Sequence, residues 1–325
     1  MTSGSPIAAA LRVSQPAAST TESVSGLVVR ARSGFFSVLT DDGRTIECQL
    51  RGRLRRERRE SDLVVIGDRV TAELINADQG MIESVEPRRS QFSRRQPGPR
   101  GTWREDLLLA NLDQVIVVFA CMDPMPHPRM LDRFLVVAEH NEVEAVVVAN
   151  KVDLVGIQRA HALFEAYATI GYPVEYLSAR EGIGVEALAD RLVGRVSVVT
   201  GPSGVGKSTL LNAIQPGLHL DTGDVSEVIH KGRHTTVSSE LHLLGGPDGG
   251  AVADTPGLRE LGLWRIPPQE LGWCFPEFRD HLGGCAFNDC KHVAEPRCAI
   301  LAAVAAGAIS PARHDSYRRL VTGEG

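Results

Sequence analysis

The segment Gly201-Pro-Ser-Gly-Val-Gly-Lys-Ser208 confines this chain to a narrow set of folds. It fits G-x-x-x-x-G-K-[ST], in which a glycine-rich loop joins a strand to a helix and turns its backbone N–H groups onto phosphates. Its flanks suit that context. Arg195 to Thr200 alternates and is β-branched, the pattern of a buried strand, and Thr209 to Ile214 continues as a helix. In such a loop Gly201, Pro202, Ser203, Gly204, Val205, Gly206 and Thr209 form or flank the cradle. Lys207 reaches the β- and γ-phosphates, and the Ser208 hydroxyl holds Mg2+. The plain alternative is a chance glycine turn before a helix.

Upstream, Gln114 to Ala120 and Glu144 to Ala149 are continuous apolar runs, the mark of parallel strands covered on both faces. Leu131 to His140, Arg159 to Thr169 and Val185 to Leu192 read as helices, and Val174 to Leu177 as a strand. The second apolar run ends at Asn150-Lys-Val-Asp153. There the Asp153 carboxylate can accept two hydrogen bonds from guanine, whereas adenine would leave it unpaired. Asn150 can bond the loop and the base edge, and the Lys151 stem can cover the ring. Ser178-Ala179 follows the next strand, where a backbone N–H can donate to guanine O6. Downstream, Lys231-Gly-Arg-His-Thr-Thr236 offers Thr235 and Thr236 as Mg2+ ligands, and Gly250 to Ala253 reads as a strand leading into Asp254-Thr-Pro-Gly257. Asp254 would hold a Mg2+-bound water, and the Gly257 N–H would meet the γ-phosphate. Each short motif alone is a common turn; together they make a GTP site. Their order is unusual, because the guanine-reading elements precede the phosphate loop and the switch elements follow it. That is a circular permutation, in which the helix at 185–192 runs directly into the phosphate-loop strand.

The rest of the chain divides around this centre. Residues 1–23 are rich in Ala, Ser, Thr and Pro with one arginine and no apolar core, so they read as a disordered tail rather than a secretory signal. No apolar run approaches the roughly 20 residues that span a bilayer, and the expected compartment is cytoplasmic. Residues 24–87 hold five short strands separated by Asp41-Asp-Gly43, an arginine-rich loop and Asp78-Gln-Gly80, which suits a small closed barrel of the OB type. Net charge is only −5, but Arg51 to Arg59 contains six arginines. Arg51, Arg53, Arg55 and Arg56 are the candidate RNA contacts, with a solvated charged loop as the alternative. Residues 88–106, with Pro97-Gly-Pro99 and no periodicity, read as a basic linker, and the GTPase domain is expected over 107–265. The chain has only four lysines, Lys151, Lys207, Lys231 and Lys291, and each lies in or beside one of the segments singled out here.

Residues 266–325 contain Cys285-x4-Cys290-x-His292-x5-Cys298, followed by helices at 299–308 and 312–320. Three thiolates and an imidazole can close a tetrahedron on one structural Zn2+. Three cysteines cannot pair among themselves as disulfides. Cys48, Cys121 and Cys274 read as buried apolar fillers.

With Asp42-Gly43, Arg51-Gly-Arg53, Gly67-Asp-Arg-Val70, Asn111-Leu-Asp113 and the motifs above, residues 26–320 resemble the ribosome small-subunit-dependent GTPase A (RsgA) family of circularly permuted bacterial GTPases. The resemblance implies an OB barrel, a permuted α/β P-loop GTPase and a zinc-binding helical domain. It also implies late maturation of the small ribosomal subunit, with that subunit and its rRNA as partners and as stimulator of GTP hydrolysis, and a monomer that meets no membrane. Leu258 stands where many GTPases carry a water-orienting glutamine. His234, ahead of the switch threonines, is the candidate for that role, with RNA contact or packing as its alternatives. Lys207, Thr235 and Thr236 complete the expected catalytic set. In the timer this suggests, GTP orders the switch and favours docking, and hydrolysis permits release. A non-enzymatic RNA-binding assembly factor, in which GTP only sets conformation, is the competing class; an ATP-dependent enzyme is disfavoured by Asp153.

Overall fold

The computed structural model describes residues 22–52, 64–97, 103–216, 239–245, 249–254 and 266–324. Five strands come first: β1 (Ser23–Arg32), β2 (Phe35–Thr40), β3 (Thr45–Leu50), β4 (Arg69–Asn76) and β5 (Gln79–Val85). They pair in the order β1-β2-β3-β5-β4 and close through β4 on β1, a barrel with OB connectivity. Alternate residues point inward, so Val28, Val38, Ile46, Cys48, Val70, Ala72 and Ile82 fill the interior. A bulge between Val28 and Arg30 bends β1.

The expected linker is a strand pair instead. β6 (Gln91–Pro97) and β7 (Trp103–Ala110) form an antiparallel hairpin. Phe92 and Leu109 face each other across it, both fully buried. β6 holds one large apolar residue, Phe92, and β7 gathers Leu107, Leu108, Leu109 and Ala110 in one unbroken run, so neither strand alternates for a sequence reading to detect.

β8 (Gln114–Ala120), β9 (Glu144–Asn150), β10 (Val174–Tyr176), β11 (Val196–Thr200), β12 (Ser239–Leu243) and β13 (Ala251–Asp254) build the second sheet, in the order β10-β9-β8-β11-β13-β12. All are parallel except β12. Every residue of β8 is buried, and its side chains alternate between two cores. Val115, Val117 and Phe119 join the layer of α1 (Pro128–His140) and α2 (Ile157–Thr169). Ile116, Val118 and Ala120 join that of α3 (Val185–Leu192) and α4 (Lys207–Ile214). Helices on both faces of a parallel sheet explain the unbroken apolar runs.

The two sheets are one hydrogen-bonded surface, because β1 continues past its bulge to pair with β12. Asn111, in the left-handed region at φ 55°, fixes the junction on the other side. Its amide donates to the Gly67 carbonyl and accepts from the Arg89 N–H. Asp68, wholly buried, holds Arg88 through two hydrogen bonds of 2.7 and 2.9 Å. A Cβ at Gly67 would lie 2.0 Å from the Ala110 oxygen, so the approach demands glycine.

The C-terminal region has a third core. A 3-10 helix (Pro276–His281), α5 (Ala299–Ala305) and α6 (Pro311–Thr322) surround Phe275, Phe278, Ile300, Ile309 and Tyr317, and Val136 of α1 reaches into it. Among the described residues no helix is long and apolar enough to cross a membrane.

Candidate nucleotide and metal sites

The carboxyl ends of β8, β9, β10 and β11 share one edge, the side on which open parallel sheets bind ligands. β11 delivers the phosphate loop there. Gly201 has φ 138°, and a Cβ on it would lie 2.1 Å from the Val118 carbonyl oxygen. Gly206 has φ 94°, and a Cβ there would lie 2.5 Å from Asn150 Nδ2. Val205 is buried beneath the loop, while Ser203, Gly204 and Thr209 are exposed and Pro202 half-buried. Helix α4 begins at Lys207 and puts Ser208 in its first turn, so its N-terminal N–H groups face the same space. Lys207 Nζ donates to the carbonyl oxygens of Gly201 at 2.8 Å and Pro202 at 2.6 Å, which holds the ammonium inside the cradle.

Asn150 is 2% exposed and binds three loops together. Its Nδ2 donates to Val205 O at 2.8 Å, and its Oδ1 accepts from the N–H groups of Lys151 at 2.8 Å and Ala179 at 3.0 Å. Lys151 takes a left-handed conformation, φ 64°, and its Nζ donates to the carbonyls of Gly204, at 2.8 Å, and Asp123. The lysine stem thus crosses from the β9 end to the phosphate loop. Asp153 follows in a 3-10 turn (Val152–Leu154), exposed and with no hydrogen-bond partner among the described residues. A free carboxylate there suits a two-donor base edge.

One expectation changes. The Ser178 N–H donates to the Ile183 carbonyl at 2.9 Å, and the Ala179 N–H is the one bonded to Asn150. Buried amides must be paired, so a bond from Ala179 to guanine O6 would have to be shared with Asn150. Asn150 is correspondingly more of a strut than a base reader, with one Nδ2 hydrogen left over.

β13 runs parallel to β11, Val198 opposite Ala253, and therefore brings Asp254 to the phosphate-loop edge. The Asp254 side chain, His234, Thr235, Thr236 and Gly257 lie outside the described residues.

In the C-terminal region Cys285, Cys290, His292 and Cys298 converge, with all four ligand atoms within 4.8 Å of one another. His292 Nδ1 is 3.4 Å from both Cys285 Sγ and Cys298 Sγ. The donor set and spacing fit tetrahedral zinc. Burial opposes ionisation of the thiols and pushes Cys290 up to about 12. At Cys285 the Ala299 N–H, 3.4 Å from the sulfur, helps reverse that and holds the thiol below its usual value. The His292 carbonyl meets His314 Nε2 at 2.8 Å, which ties the site to α6. The other cysteines are buried as expected; burial raises Cys48 and Cys121 to about 11 and Cys274 to about 12. They are neutral thiols at physiological pH.

Of the candidate RNA contacts, Arg51 is engaged by Glu73 at 2.9 Å and Glu83 at 2.6 Å. It closes the barrel surface between β3, β4 and β5. Arg53, Arg55 and Arg56 lie outside the described residues. Sequence reasoning missed Arg88 and Arg313, whose carboxylate partners, Asp68, Asp132 and Glu277, are distant in the chain. It also missed the Asp123 carbonyl, which no side-chain pattern marks.

Residues 85–264 match a family model described as RsgA GTPase, and residues 25–82 one described as RsgA N-terminal domain. The small ribosomal subunit biogenesis GTPase RsgA of Gemmatimonas aurantiaca is 49% identical, over 92% of this chain and 97% of that protein. The protein of the same name from Shewanella oneidensis is 40% identical, over 91% and 82%. Among solved structures, YjeQ from Thermotoga maritima superposes with a TM-score of 0.75 at 36% identity, covering 93% of this chain and 98% of that one. YloQ, described as a circularly permuted GTPase, gives 0.69 at 30% identity, covering 93% and 95%.

Proposed function

The chain belongs to the RsgA GTPase family, and from that premise we propose that it hydrolyses GTP in the biogenesis of the small ribosomal subunit. The observation that carries the reading is the meeting of Asn150 and Lys151 with the phosphate loop, beside Asp153 at one sheet edge, in a chain whose relatives from Gemmatimonas aurantiaca and Shewanella oneidensis carry that name. Asp153 and Asn150 would select guanine. Lys207, releasing the carbonyls that its ammonium now engages, and the N–H groups of residues 203–208 would hold the phosphates. Ser208, Thr235, Thr236 and Asp254 would hold Mg2+, which when bound neutralises charge between the β- and γ-phosphates. Cys285, Cys290, His292 and Cys298 would hold one structural zinc. We assign residues 24–87 to the barrel, 107–265 to the permuted GTPase and 266–325 to the zinc domain, with 88–106 between the first two. Arg53, Arg55 and Arg56 would meet rRNA, and the protein would act as a cytoplasmic monomer.

Leu258 has an alkyl side chain that cannot orient water, so intrinsic turnover would be slow, with His234 completing the site on the subunit. The deciding measurement is GTP turnover with purified small subunits, large subunits serving as control. Stimulation by small subunits alone is expected; equal rates with both would remove the small subunit as activator. His234→Ala should abolish that stimulation and leave GTP affinity unchanged. Stimulated turnover at the wild-type rate would exclude His234.

A further inference from the structure

The two loops that face the guanine edge reach it from different supports. Asp153 lies in the 3-10 turn after β9, and successive main-chain bonds carry that turn into α2. Leu154 N–H donates to Lys151 O at 3.1 Å, Gly156 N–H to Val152 O at 2.8 Å and Ala160 N–H to Gly156 O at 3.1 Å. The Asp153 turn and the start of α2 are therefore one piece. Ser178 and Ala179 instead follow β10, a strand of three residues at the sheet edge, paired among the described residues to β9 alone. A short edge strand is the weaker carrier, because one side of its main chain has no ladder partner.

Two links join the end of this strand to the Asp153 support. One is polar: Asn150 Oδ1 accepts from the N–H groups of both Lys151 and Ala179, and Val152 N–H donates to Leu177 O at 3.2 Å. The other is aromatic. Tyr176, the last residue of β10, stacks on the imidazole of His161 in α2, with ring centres 4.0 Å apart and planes 20° from parallel. Tyr176 is half-buried against the core that contains Val152, Ala160 and Phe164, whereas His161 is exposed.

We propose that the His161–Tyr176 stack is a clasp that fixes the Ala179 amide for reading guanine O6, which makes His161 a positioning residue for base specificity. The inference rests on the guanine selection proposed above. Guanine presents O6, N1–H and the 2-amino group along one edge. A carboxylate at Asp153 takes the two donors, so the base is registered on the Asp153 side and O6 falls at a set place. The Ala179 N–H must meet it there, and it already serves Asn150. An amide shared between two acceptors tolerates little displacement, since hydrogen bonds weaken steeply with angle. Tyr176 stands three residues before Ala179, and His161 stands on the same support as Asp153. The stack thus sets the distance between the two readers.

The test is calorimetric titration of the full chain with GDP and with 6-thio-GDP, in which sulfur replaces O6 as a poorer acceptor while N1–H and the 2-amino group stay. The wild type should prefer GDP by about 2- to 10-fold, the contribution of one hydrogen bond. His161→Ala should weaken GDP by about 2- to 10-fold, the contribution of one aromatic pair. It should leave 6-thio-GDP nearly unchanged, so that the preference closes toward one. His161→Phe keeps a ring and should restore the wild-type preference. The side chain is exposed, so thermal melts should match wild type. Equal weakening of both nucleotides in His161→Ala would make the stack a structural contact and overturn the proposal. A wild type that prefers GDP to ADP but binds GDP and 6-thio-GDP equally would overturn it too, because Ala179 would then not read O6. A wild type that binds ADP as well as GDP would remove the guanine selection itself, and the clasp with it.

Discussion

Gly201 and Gly206 exclude a side chain for different reasons, and the difference predicts different phenotypes. A Cβ at Gly201 would meet main chain, the Val118 carbonyl oxygen of a central strand, which cannot withdraw without breaking the sheet. A Cβ at Gly206 would meet the Asn150 amide, which can rotate away. Both also carry the cost of a left-handed non-glycine residue, about 1 to 3 kcal/mol. Gly201→Ala should therefore yield little soluble protein. Gly206→Ala should fold, with a lowered Tm, and lose nucleotide affinity because the displaced Asn150 frees both Val205 and Ala179. Fluorescent GDP titration beside a thermal melt separates the two; a Gly206→Ala protein that binds GDP normally would show that Asn150 is no strut.

Asp153 gives the sharper specificity test. Two hydrogen bonds to a carboxylate contribute about 1.5 to 3 kcal/mol each, so Asp153→Ala should weaken GDP and GTP by at least about 100-fold. Because the side chain is exposed and has no hydrogen-bond partner among the described residues, stability should not change. Calorimetric titration reading an affinity within threefold of wild type would end the assignment of Asp153 to the base.

At the scale of elements, what could be read from the chain followed the strength of the burial signal. β8 and β9 are covered on both faces, and their apolar runs declared them. The α3 helix, with Val185, Leu188 and Leu192 on one side, matched its expected bounds. β6 and β7 had no such signal, since β6 has Phe92 as its one large apolar residue, the apolar residues 107–110 of β7 do not alternate, and the strands hold each other by main-chain bonds. The same limit hid the use of the Ser178 and Ala179 amides, because backbone partners leave no trace in residue type. The Cys3His cluster was legible because its four members fall within fourteen residues. It also makes a prediction for its elements. Structural zinc supplies folding energy outright, and Cys298 is the N-cap residue of α5. The protein as purified should contain one zinc per chain, and a strong chelator should lower its Tm. Cys298→Ser should reduce the zinc content and expose the 285–322 region to proteolysis while GDP affinity stays near wild type. Full zinc occupancy in that variant would rule out Cys298 as a ligand.

The whole molecule is joined by charge as much as by apolar packing, at two buried places. One is Asp68 with Arg88, between the barrel and the hairpin. The other is Arg313 of α6, whose side chain is 6% exposed and which donates to Asp132 of α1 and Glu277 of the 3-10 helix, both at 2.7 Å. Tyr167 of α2 donates to the same Asp132 at 2.9 Å, and the guanidinium lies 4.5 Å from the Phe275 ring centre. Burial pulls the Arg313 pKa down, but the two carboxylates outweigh it and hold it above the ordinary value. One cation thus ties the C-terminal region to two helices that carry the guanine-site side of the sheet. Removing one member of a buried ionic cluster costs about 3 to 5 kcal/mol, because its partners stay buried and charged. Arg313→Met should lose that much in urea unfolding. Arg313→Met combined with Asp132→Asn and Glu277→Gln should recover a large part of it, since no unpaired charge remains. If the triple variant is no more stable than the single one, the loss comes from packing around Phe275 and Tyr167. The cluster would then be a shape contact, and the C-terminal region would be held to α1 by the apolar core around Val136 and by surface pairs such as Arg279 with Glu139.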